Sequence, residues 1–422
     1  MNSVFSKYSL TALLAFVVLC SSYSFGFDDW PNWRGPNRND ISSETGLLKK
    51  WPEDGPKKVW VNKKSGLGYA GFAVVGDHLF TMGQEDNSEF VICLKVSDGT
   101  ELWRENVGPN FKNGWGGGPR STPTVDKDHV FVMGASGDLA CLKKEDGTKV
   151  WSVKMSEFGG KVPNWGYSES PLVDGDKVIC TPGGEETTMV ALDRKTGKKL
   201  WQSKPVVDGK AKPTKAHYSS IFPTNLNNRR QYIQLLERAI VGVDADSGDV
   251  IWQSSWPGRV AVIPSPIVDE NRVYVTSGYG VGAKLVEIGE NNAVKDLWYT
   301  KAMQNHHGSV IKVDDHFYGS SAKAWVCQSE KDGSMVWADR KIKKGCLTYA
   351  DGMFYQIEEG SGRVLLIKAD PESHEIVSQF KMEPQTTRRN PKGRIWVHPV
   401  IANGKLFVRD QEIIICYDIK AE

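Results

Sequence analysis

The sequence contains none of the short motifs that place the reacting groups of several common enzyme classes. No G-x-S-x-G, H-E-x-x-H or Walker A pattern occurs in the 422 residues. These motifs hold a serine nucleophile, a zinc ion or a phosphate chain in position. The sequence therefore gives no support for serine hydrolase, zinc protease or P-loop nucleotide chemistry.

An excess of charge of one sign is also missing. The chain has 53 Lys and Arg against 51 Asp and Glu, a formal net charge of +2 at pH 7. Nucleic-acid binding depends on concentrated positive charge, so we expect no nucleic-acid partner. The short basic stretch TTRRNPK at residues 386–392 is interpreted as a solvated loop.

Long hydrophobic runs are absent except near the N-terminus. Lys7 precedes an apolar run from Leu10 to Leu19, which small and polar residues follow. This layout predicts a secretory signal peptide over residues 1–26, because a membrane span needs about 20 apolar residues. The bulky Leu19 before Cys20 disfavours a lipid anchor at that cysteine. We therefore expect an exported protein, periplasmic or extracellular.

What the sequence does contain is a repeat. ALDRKTGKKLW (Ala191 to Trp201) and GVDADSGDVIW (Gly242 to Trp252) share a small first residue, Asp at position three, Gly at seven and Trp at eleven. CLKVSDGTELW, CLKKEDGTKVW and CQSEKDGSMVW keep the same frame with Cys first. Each copy is typical of a β-hairpin, since a turn that tolerates positive φ joins two apolar runs.

The spacing of the repeat predicts the fold class. The tryptophans at 103, 151, 201 and 252 are 48, 50 and 51 residues apart, the length of one four-stranded propeller blade. Eight such units fit between residues 67 and 420, and the last lacks one outer strand. The segment Lys57 to Lys63 supplies that strand, so that the N-terminal strand closes the ring. The prediction is an all-β, eight-bladed β-propeller over residues 27–422, with an N-terminal extension at 27–55.

The repeat register resembles the tryptophan-docking motif of quinoprotein-type, PQQ-like propellers. That superfamily includes quinone-dependent alcohol dehydrogenases and the assembly lipoprotein BamB, and stretches such as WGYSESPLVDGDKVICTPGG and NHHGSVIKVDDHFYG are similar to secreted, planctomycete-type members. The resemblance implies that each docking tryptophan packs on the glycine peptide of a neighbouring blade. The docking residues are Trp60, Trp103, Trp151, Trp201, Trp252, Trp298 and Trp337. Two units depart from the pattern, EIGENNAVKDLW and LIKADPESHEIVSQF, and we expect weaker docking there.

A dehydrogenase of that superfamily implies a quinone with a calcium ion, and often two adjacent cysteines. The sequence has no adjacent cysteine pair and no C-x-x-C, and no set of acidic residues matches a calcium site. Cys93, Cys141 and Cys327 occupy the small first position of the repeat and are interpreted as buried core residues. No cofactor, metal ion or catalytic residue is assigned, and PQQ with calcium stays an alternative without a matched site.

The candidate ligand-binding residues lie at or just before the innermost strands, which line the axial channel of a propeller. They are Arg120, Glu169, His217, Tyr218, His306, His307, Trp396 and His398. Four of the eight histidines thus fall at one level of the fold. The set suggests a polar funnel for an anionic or hydroxylated ligand, or side chains that satisfy one another and buried water. Because neighbouring strand residues face opposite sides, the His306–His307 pair alone is not expected to bind a metal.

Three hypotheses for the function remain open. The first is a non-catalytic binding or interaction scaffold for a protein, glycan or small polar ligand. The second is a PQQ-dependent alcohol or sugar dehydrogenase, and the third is a BamB-like assembly factor with a membrane-associated client. We expect a monomer in each case, and fold alone does not decide among them.

Overall fold

The computed structural model describes residues 29–207, 213–307 and 310–421. The predicted signal peptide and Cys20 lie outside the described residues. Within them the chain forms thirty-two β-strands in eight four-stranded sheets. The described residues also form two short 3₁₀ helices, Met155–Phe158 and Glu290–Asn292. No helix in this part of the chain is both long and apolar enough to cross a membrane.

The strands follow one another as antiparallel meanders. The closing strand and the first four sheets are formed by β1 (Lys58–Asn62), β2 (Ala73–Val75), β3 (His78–Glu85), β4 (Ser88–Lys95), β5 (Glu101–Pro109), β6 (Thr124–Asp126), β7 (His129–Met133), β8 (Asp138–Lys143), β9 (Lys149–Lys154), β10 (Leu172–Asp174), β11 (Lys177–Cys180), β12 (Val190–Asp193), β13 (Lys199–Gln202), β14 (Phe222–Leu226), β15 (Arg229–Leu235), β16 (Ala239–Asp244) and β17 (Val250–Ser255).

The second half of the ring repeats this arrangement. Its strands are β18 (Ile267–Asp269), β19 (Arg272–Ser277), β20 (Gly282–Ile288), β21 (Val294–Thr300), β22 (Val310–Val313), β23 (His316–Ser320), β24 (Trp325–Ser329), β25 (Met335–Asp339), β26 (Gly345–Ala350), β27 (Met353–Glu358), β28 (Arg363–Lys368), β29 (Ile376–Lys381), β30 (Val400–Ala402), β31 (Lys405–Asp410) and β32 (Ile413–Asp418). The first strand of each of the first seven sheets is the innermost, and in the eighth sheet the innermost strand is β30.

The eighth blade is completed by the N-terminal strand. Its order is β1-β32-β31-β30, and Trp60 of β1 pairs with Cys416 of β32. This confirms the predicted eight-bladed propeller with its N-terminal closing strand. Joining the two ends of the chain in one sheet closes the ring of blades.

The docking tryptophans fix each blade to the next one. The indole N–H of Trp201 donates to the Ala245 carbonyl at 3.1 Å. A side chain at Gly248 would come within 2.5 Å of the same ring, and this glycine has a φ of +76°. Glycine is favoured here because it adopts a positive φ readily and has no side chain that would clash with the ring. The indole N–H groups of Trp60, Trp103, Trp151 and Trp298 likewise each donate to the carbonyl of the residue three before the docking glycine.

The two irregular repeats change this geometry. Trp252 faces the blade whose repeat is EIGENNAVKDLW, and its N–H donates to the Gln231 side chain of its own blade at 2.8 Å. Trp337 faces the other irregular blade and donates to the Pro371 carbonyl at 3.0 Å. The glycine contact is therefore replaced at the two places where the sequence departs from the repeat.

A buried arginine fastens the closing blade to the first blade. Arg409 of β31 is fully buried, and its guanidinium donates to Thr81 Oγ1 at 2.7 Å and to the Met82 carbonyl at 2.8 Å. It also donates to the carbonyls of Ala70 and Gly66. Burial lowers its pKa to about 9. This contact joins the two ends of the propeller ring beside the closing strand.

The N-terminal extension enters the propeller axis. The plug, residues 30–42, pairs with innermost strands of several blades: Trp30 with Val74, Pro31 with Val125, Ser42 with Tyr349. The guanidinium of Arg34 donates to the Val310 carbonyl at 2.7 Å, in yet another blade. One segment therefore contacts innermost strands around the ring, and it fills part of the axial channel.

Candidate ligand cavity on the propeller axis

A cavity of about 190 Å³ lies at the end of the axis where the chain enters the innermost strands. Six of the eight predicted funnel residues line it, namely Arg120, Tyr218, His306, His307, Trp396 and His398. The structure thus brings together predicted residues of four blades. Trp33 of the plug forms part of the wall, so the plug closes this end of the channel from below.

Two predicted funnel residues, Glu169 and His217, do not line the cavity. Each adjoins a residue that does, Ser168 and Tyr218 respectively. Successive side chains of an extended segment point to opposite sides, and position along the chain does not reveal which side faces the axis. These two residues therefore lie beside the cavity and not on its described lining, and their part in ligand binding stays a prediction.

Glu169 instead connects the third and fourth blades. Its carboxylate accepts hydrogen bonds from the Thr181 N–H at 2.6 Å and the Thr181 hydroxyl at 2.8 Å, and Gln234 lies at 3.3 Å. Burial raises the pKa of Glu169 to about 7. His217 accepts from the Val262 N–H at 3.2 Å, and burial lowers its pKa to about 4, so its ring is neutral.

The raised pKa of Glu169 predicts a pH-dependent stability. The folded state binds this proton more tightly than the unfolded chain, whose value lies near 4.5, so stability falls as the pH rises from there to about 7. We expect Glu169→Gln to mimic the protonated carboxyl. As the pH rises through this range, the free energy of unfolding of the variant should therefore gain about 3 kcal/mol relative to that of the wild type. Denaturant unfolding at pH 5 and pH 8 measures the change. The same pH dependence of the free energy of unfolding in both proteins would contradict this prediction. Glu185→Gln, at an exposed position, is the control.

The walls of the cavity are aromatic, which the sequence analysis did not foresee. Seven Trp and Tyr side chains line it: Trp33, Tyr69, Trp115, Trp165, Tyr218, Tyr279 and Trp396. The tryptophan count could have indicated these walls, because the docking repeat accounts for only seven of the fifteen tryptophans. Four of the remaining eight, Trp33, Trp115, Trp165 and Trp396, line the cavity.

A buried ion cluster lies under the cavity. The Asp40 carboxylate of the plug accepts from Arg34 Nε at 2.6 Å, and His398 Nδ1 lies 3.4 Å from it. The other ring nitrogen of His398 lies 3.0 Å from the His307 carbonyl. Burial disfavours the imidazolium, but Cys346 and Asp40 raise the pKa of His398 to about 10. Arg34 and His398 thus share the Asp40 carboxylate.

A second polar network supports the wall formed by the histidine pair. Trp396 Nε1 donates to Glu359 at 2.9 Å, and His307 Nδ1 lies 3.4 Å from the same carboxylate. Lys344 pairs with Glu359 at 3.6 Å and also contacts His306 Nδ1. Although burial opposes it, His307 and Lys344 hold the pKa of Glu359 below its usual value. The network fixes the rings without placing a carboxylate on the cavity surface.

His306 and His307 both face the cavity, contrary to the expectation that neighbours point apart. They lie in a bend before β22, and their ring centroids are 4.0 Å apart. Burial, His307 and Lys344 lower the pKa of His306 to about 2, so its ring is neutral. Since Nδ1 accepts from Lys344, Nε2 carries the proton and donates to the Tyr279 oxygen at 2.5 Å. The Tyr279 hydroxyl hydrogen is then directed elsewhere.

The cavity does not fit the calcium ion of a quinone-dependent dehydrogenase. Its described lining contains no Asp, Glu, Asn or Gln side chain, and calcium is bound by six to eight oxygens. In the ranges 29–207, 213–307 and 310–421, no three or more His, Cys, Asp or Glu residues are grouped so as to bind a metal. The six described cysteines are buried and unpaired. No chemical step through a metal-bound quinone is therefore derived for this chain.

Known structures share the architecture. BamB from Moraxella catarrhalis is 16% identical, with a TM-score of 0.59 over 84% of this chain and 95% of that one. Quinohemoprotein alcohol dehydrogenase from Comamonas testosteroni is 11% identical, with a TM-score of 0.61 over 93% and 81%. A computationally designed protein is 9% identical, with a TM-score of 0.58 over 86% and 100%. At these identities the likeness shows the fold and not the activity.

Comparison of the sequence itself is more specific about ancestry. None of the curated proteins compared with the chain matches it significantly. A family model described as outer membrane protein assembly factor BamB matches residues 86–339, more than half of the chain. The chain therefore belongs to this BamB-like family of PQQ-like repeat propellers.

Proposed function

We propose that this protein is an exported, non-catalytic binding propeller that holds a small polar ligand in its axial cavity. The observation that carries the proposal is the convergence of Arg120, three histidines and seven Trp and Tyr rings on one cavity closed below by the plug. A concave, mostly aromatic pocket with few convergent polar groups is typical of a small-molecule site.

The states of the polar groups favour binding over catalysis. His306 is neutral and hydrogen-bonded at both ring nitrogens, and His398 is held as an imidazolium between two acceptors. A general base needs a free nitrogen and a pKa near the working pH. These two histidines therefore serve better as fixed donors and walls than as proton carriers.

The mouth of the cavity is where a ligand would enter. The side chains of Trp115 and Tyr279 are 45% and 43% exposed although both line the cavity. Lys392 lies over the Trp115 ring, 5.8 Å from its centroid. Residues at this rim are open to solvent, so their truncation leaves the buried blades intact.

We expect a small polar ligand to change the tryptophan emission of the mature protein and to raise its melting temperature, because four tryptophans line the cavity. The measurement is a saturable titration with separate panels of aromatic acids, amino acids, monosaccharides and oligosaccharides. Pyrroloquinoline quinone with calcium forms a further arm. Trp115→Ala should weaken binding at least tenfold without lowering the melting temperature by more than a few degrees.

The matched control is Trp337→Ala, a half-buried tryptophan outside the cavity, which should leave the affinity unchanged. Equal losses in both variants would contradict the assignment of the cavity. Saturable quinone binding that requires calcium would instead support a dehydrogenase. No saturable response in any panel would leave a protein client as the alternative ligand.

A further inference from the structure

We propose that the axial cavity selects a single-ring aromatic carboxylate, such as a benzoate, and not a sugar. The inference rests on the proposed function, because it names the ligand class of the same site. Three independent properties of the cavity support it: its volume, the charge of Arg120 and the absence of carboxylate and amide side chains from its described lining.

The volume suits one ring. The cavity holds about 190 Å³, whereas pockets for drug-sized ligands hold about 300 to 1,000 Å³. An engineered apolar cavity of about 150 Å³ in another protein binds benzene. The present cavity is therefore large enough for one six-membered ring with a small substituent, and too small for a fused three-ring ligand.

The walls offer faces and edges for such a ring. The ring centroids of His307 and Trp396 are 4.8 Å apart and nearly parallel, at 23°, and Tyr69 lies 5.1 Å from Trp396 at 45°. Across the cavity, Trp165 and Tyr218 are 5.6 Å apart at 57°. Aromatic pairs prefer offset or edge-to-face arrangements at these separations, so another flat ring can continue the cluster.

Arg120 supplies a positive charge on the wall of the cavity. Arg120 donates to the carbonyls of Gly116 and Gly118, which leaves three of its five N–H donors. Among the residues that the structure describes, no carboxylate lies within ion-pair distance of this guanidinium, and none lines the cavity. A carboxylate on the ligand would match this charge and form charge-assisted hydrogen bonds.

The same lining is unfavourable for a sugar. Each sugar hydroxyl is a donor as well as an acceptor, and a buried donor without a partner costs about 1–3 kcal/mol. The described lining has no carboxylate or side-chain amide oxygen to accept from a sugar. A carboxylate ligand accepts only, and therefore suits a surface that mainly donates.

The experiment compares matched probes on the whole mature protein by calorimetry and tryptophan fluorescence. Benzoate should bind saturably, and its neutral isostere benzamide at least tenfold more weakly. Glucose and glucuronate should not bind. Arg120→Met should weaken benzoate binding at least tenfold and leave the weak benzamide affinity unchanged, while Arg120→Lys should restore part of the loss. Arg104→Met is the control, because Arg104 also stacks on a ring, that of Phe90, outside the cavity.

Each outcome is decisive for the ligand class. Equal affinities for benzoate and benzamide in the unaltered protein would overturn the role of charge, whether or not the Arg120 variants fold. Binding of glucuronate or glucose in place of benzoate would overturn the ligand class but keep the proposed binding function. If none of these probes and no member of the wider panels binds, both the ligand class and the proposed binding function fail.

Discussion

Replacing Asp40 with asparagine is expected to destabilise the protein by about 3–5 kcal/mol, the range for removing one member of a buried ion pair. Asp40 is fully buried and is shared by Arg34 and His398. Burial works against ionisation, but these two cations hold the pKa of Asp40 below its usual range. Without the carboxylate, both groups lose their counter-charge in a dry environment. The melting temperature and the denaturant midpoint at pH 7 measure the loss.

The plug gives this prediction a second readout. Because Asp40 and Trp33 belong to the same segment, loosening of the plug should also change the tryptophan emission of the axial cavity. Glu185→Gln is the control, since the Lys161–Glu185 pair is 72% and 75% exposed and should contribute almost nothing. An Asp40→Asn protein with the same melting temperature as the wild type would show that the cluster does not stabilise the fold.

The ion cluster also has a defined pH dependence. The folded-state pKa of His398, about 10, lies above the usual value of about 6.5. The stability that its charge supplies is therefore complete below pH about 6.5 and is lost as the pH rises towards 10. The wild type should lose more stability than Asp40→Asn between pH 7 and pH 9.5, because the variant has no carboxylate to hold the imidazolium.

Trp201→Ala is expected to cost about 3–5 kcal/mol, as for other buried large aromatic residues. The ring is buried between two blades, it packs on Gly248, and its N–H donates to the Ala245 carbonyl. Its removal leaves a cavity and an unpaired carbonyl at the interface. The change in free energy of unfolding from denaturant titration tests the prediction.

Trp337→Ala provides the comparison, because this tryptophan is only half buried and faces an irregular repeat without the docking glycine. Its loss should be clearly smaller than that of Trp201→Ala. Equal losses would mean that the glycine contact contributes nothing beyond burial of the ring. An unchanged stability of Trp201→Ala would contradict the docking assignment altogether.

The architecture was predictable because the same local sequence pattern recurs many times along the chain of a propeller. Each repeat sets a turn glycine, an apolar strand and a terminal tryptophan in one register, so the copies support one another and the count of blades follows. The closing strand could be found because Trp60 has the place that the last blade lacks. Even the two altered docking contacts follow from local departures in the sequence.

The site was only partly predictable. The residues before the innermost strands were expected to lie near the axis. Six of the eight candidate residues line the cavity there. Glu169 and His217 do not line the cavity, because a shift of a single residue decides which side of a strand a side chain faces. The tryptophans outside the repeat pointed to the aromatic walls, but only the closed ring brings Trp115, Trp165 and Trp396 to one cavity.

The sequence by itself determined the class of fold, the number of blades and the way the ring closes, since all three follow from a pattern that is repeated along the chain. Only the tertiary structure decided how the plug fills the axis, that Asp40 joins Arg34 to His398, and that Arg409 fastens the last blade to the first. These contacts link residues more than 300 positions apart in several cases. No local pattern encodes such a pairing, because it exists only after the blades have closed around the axis.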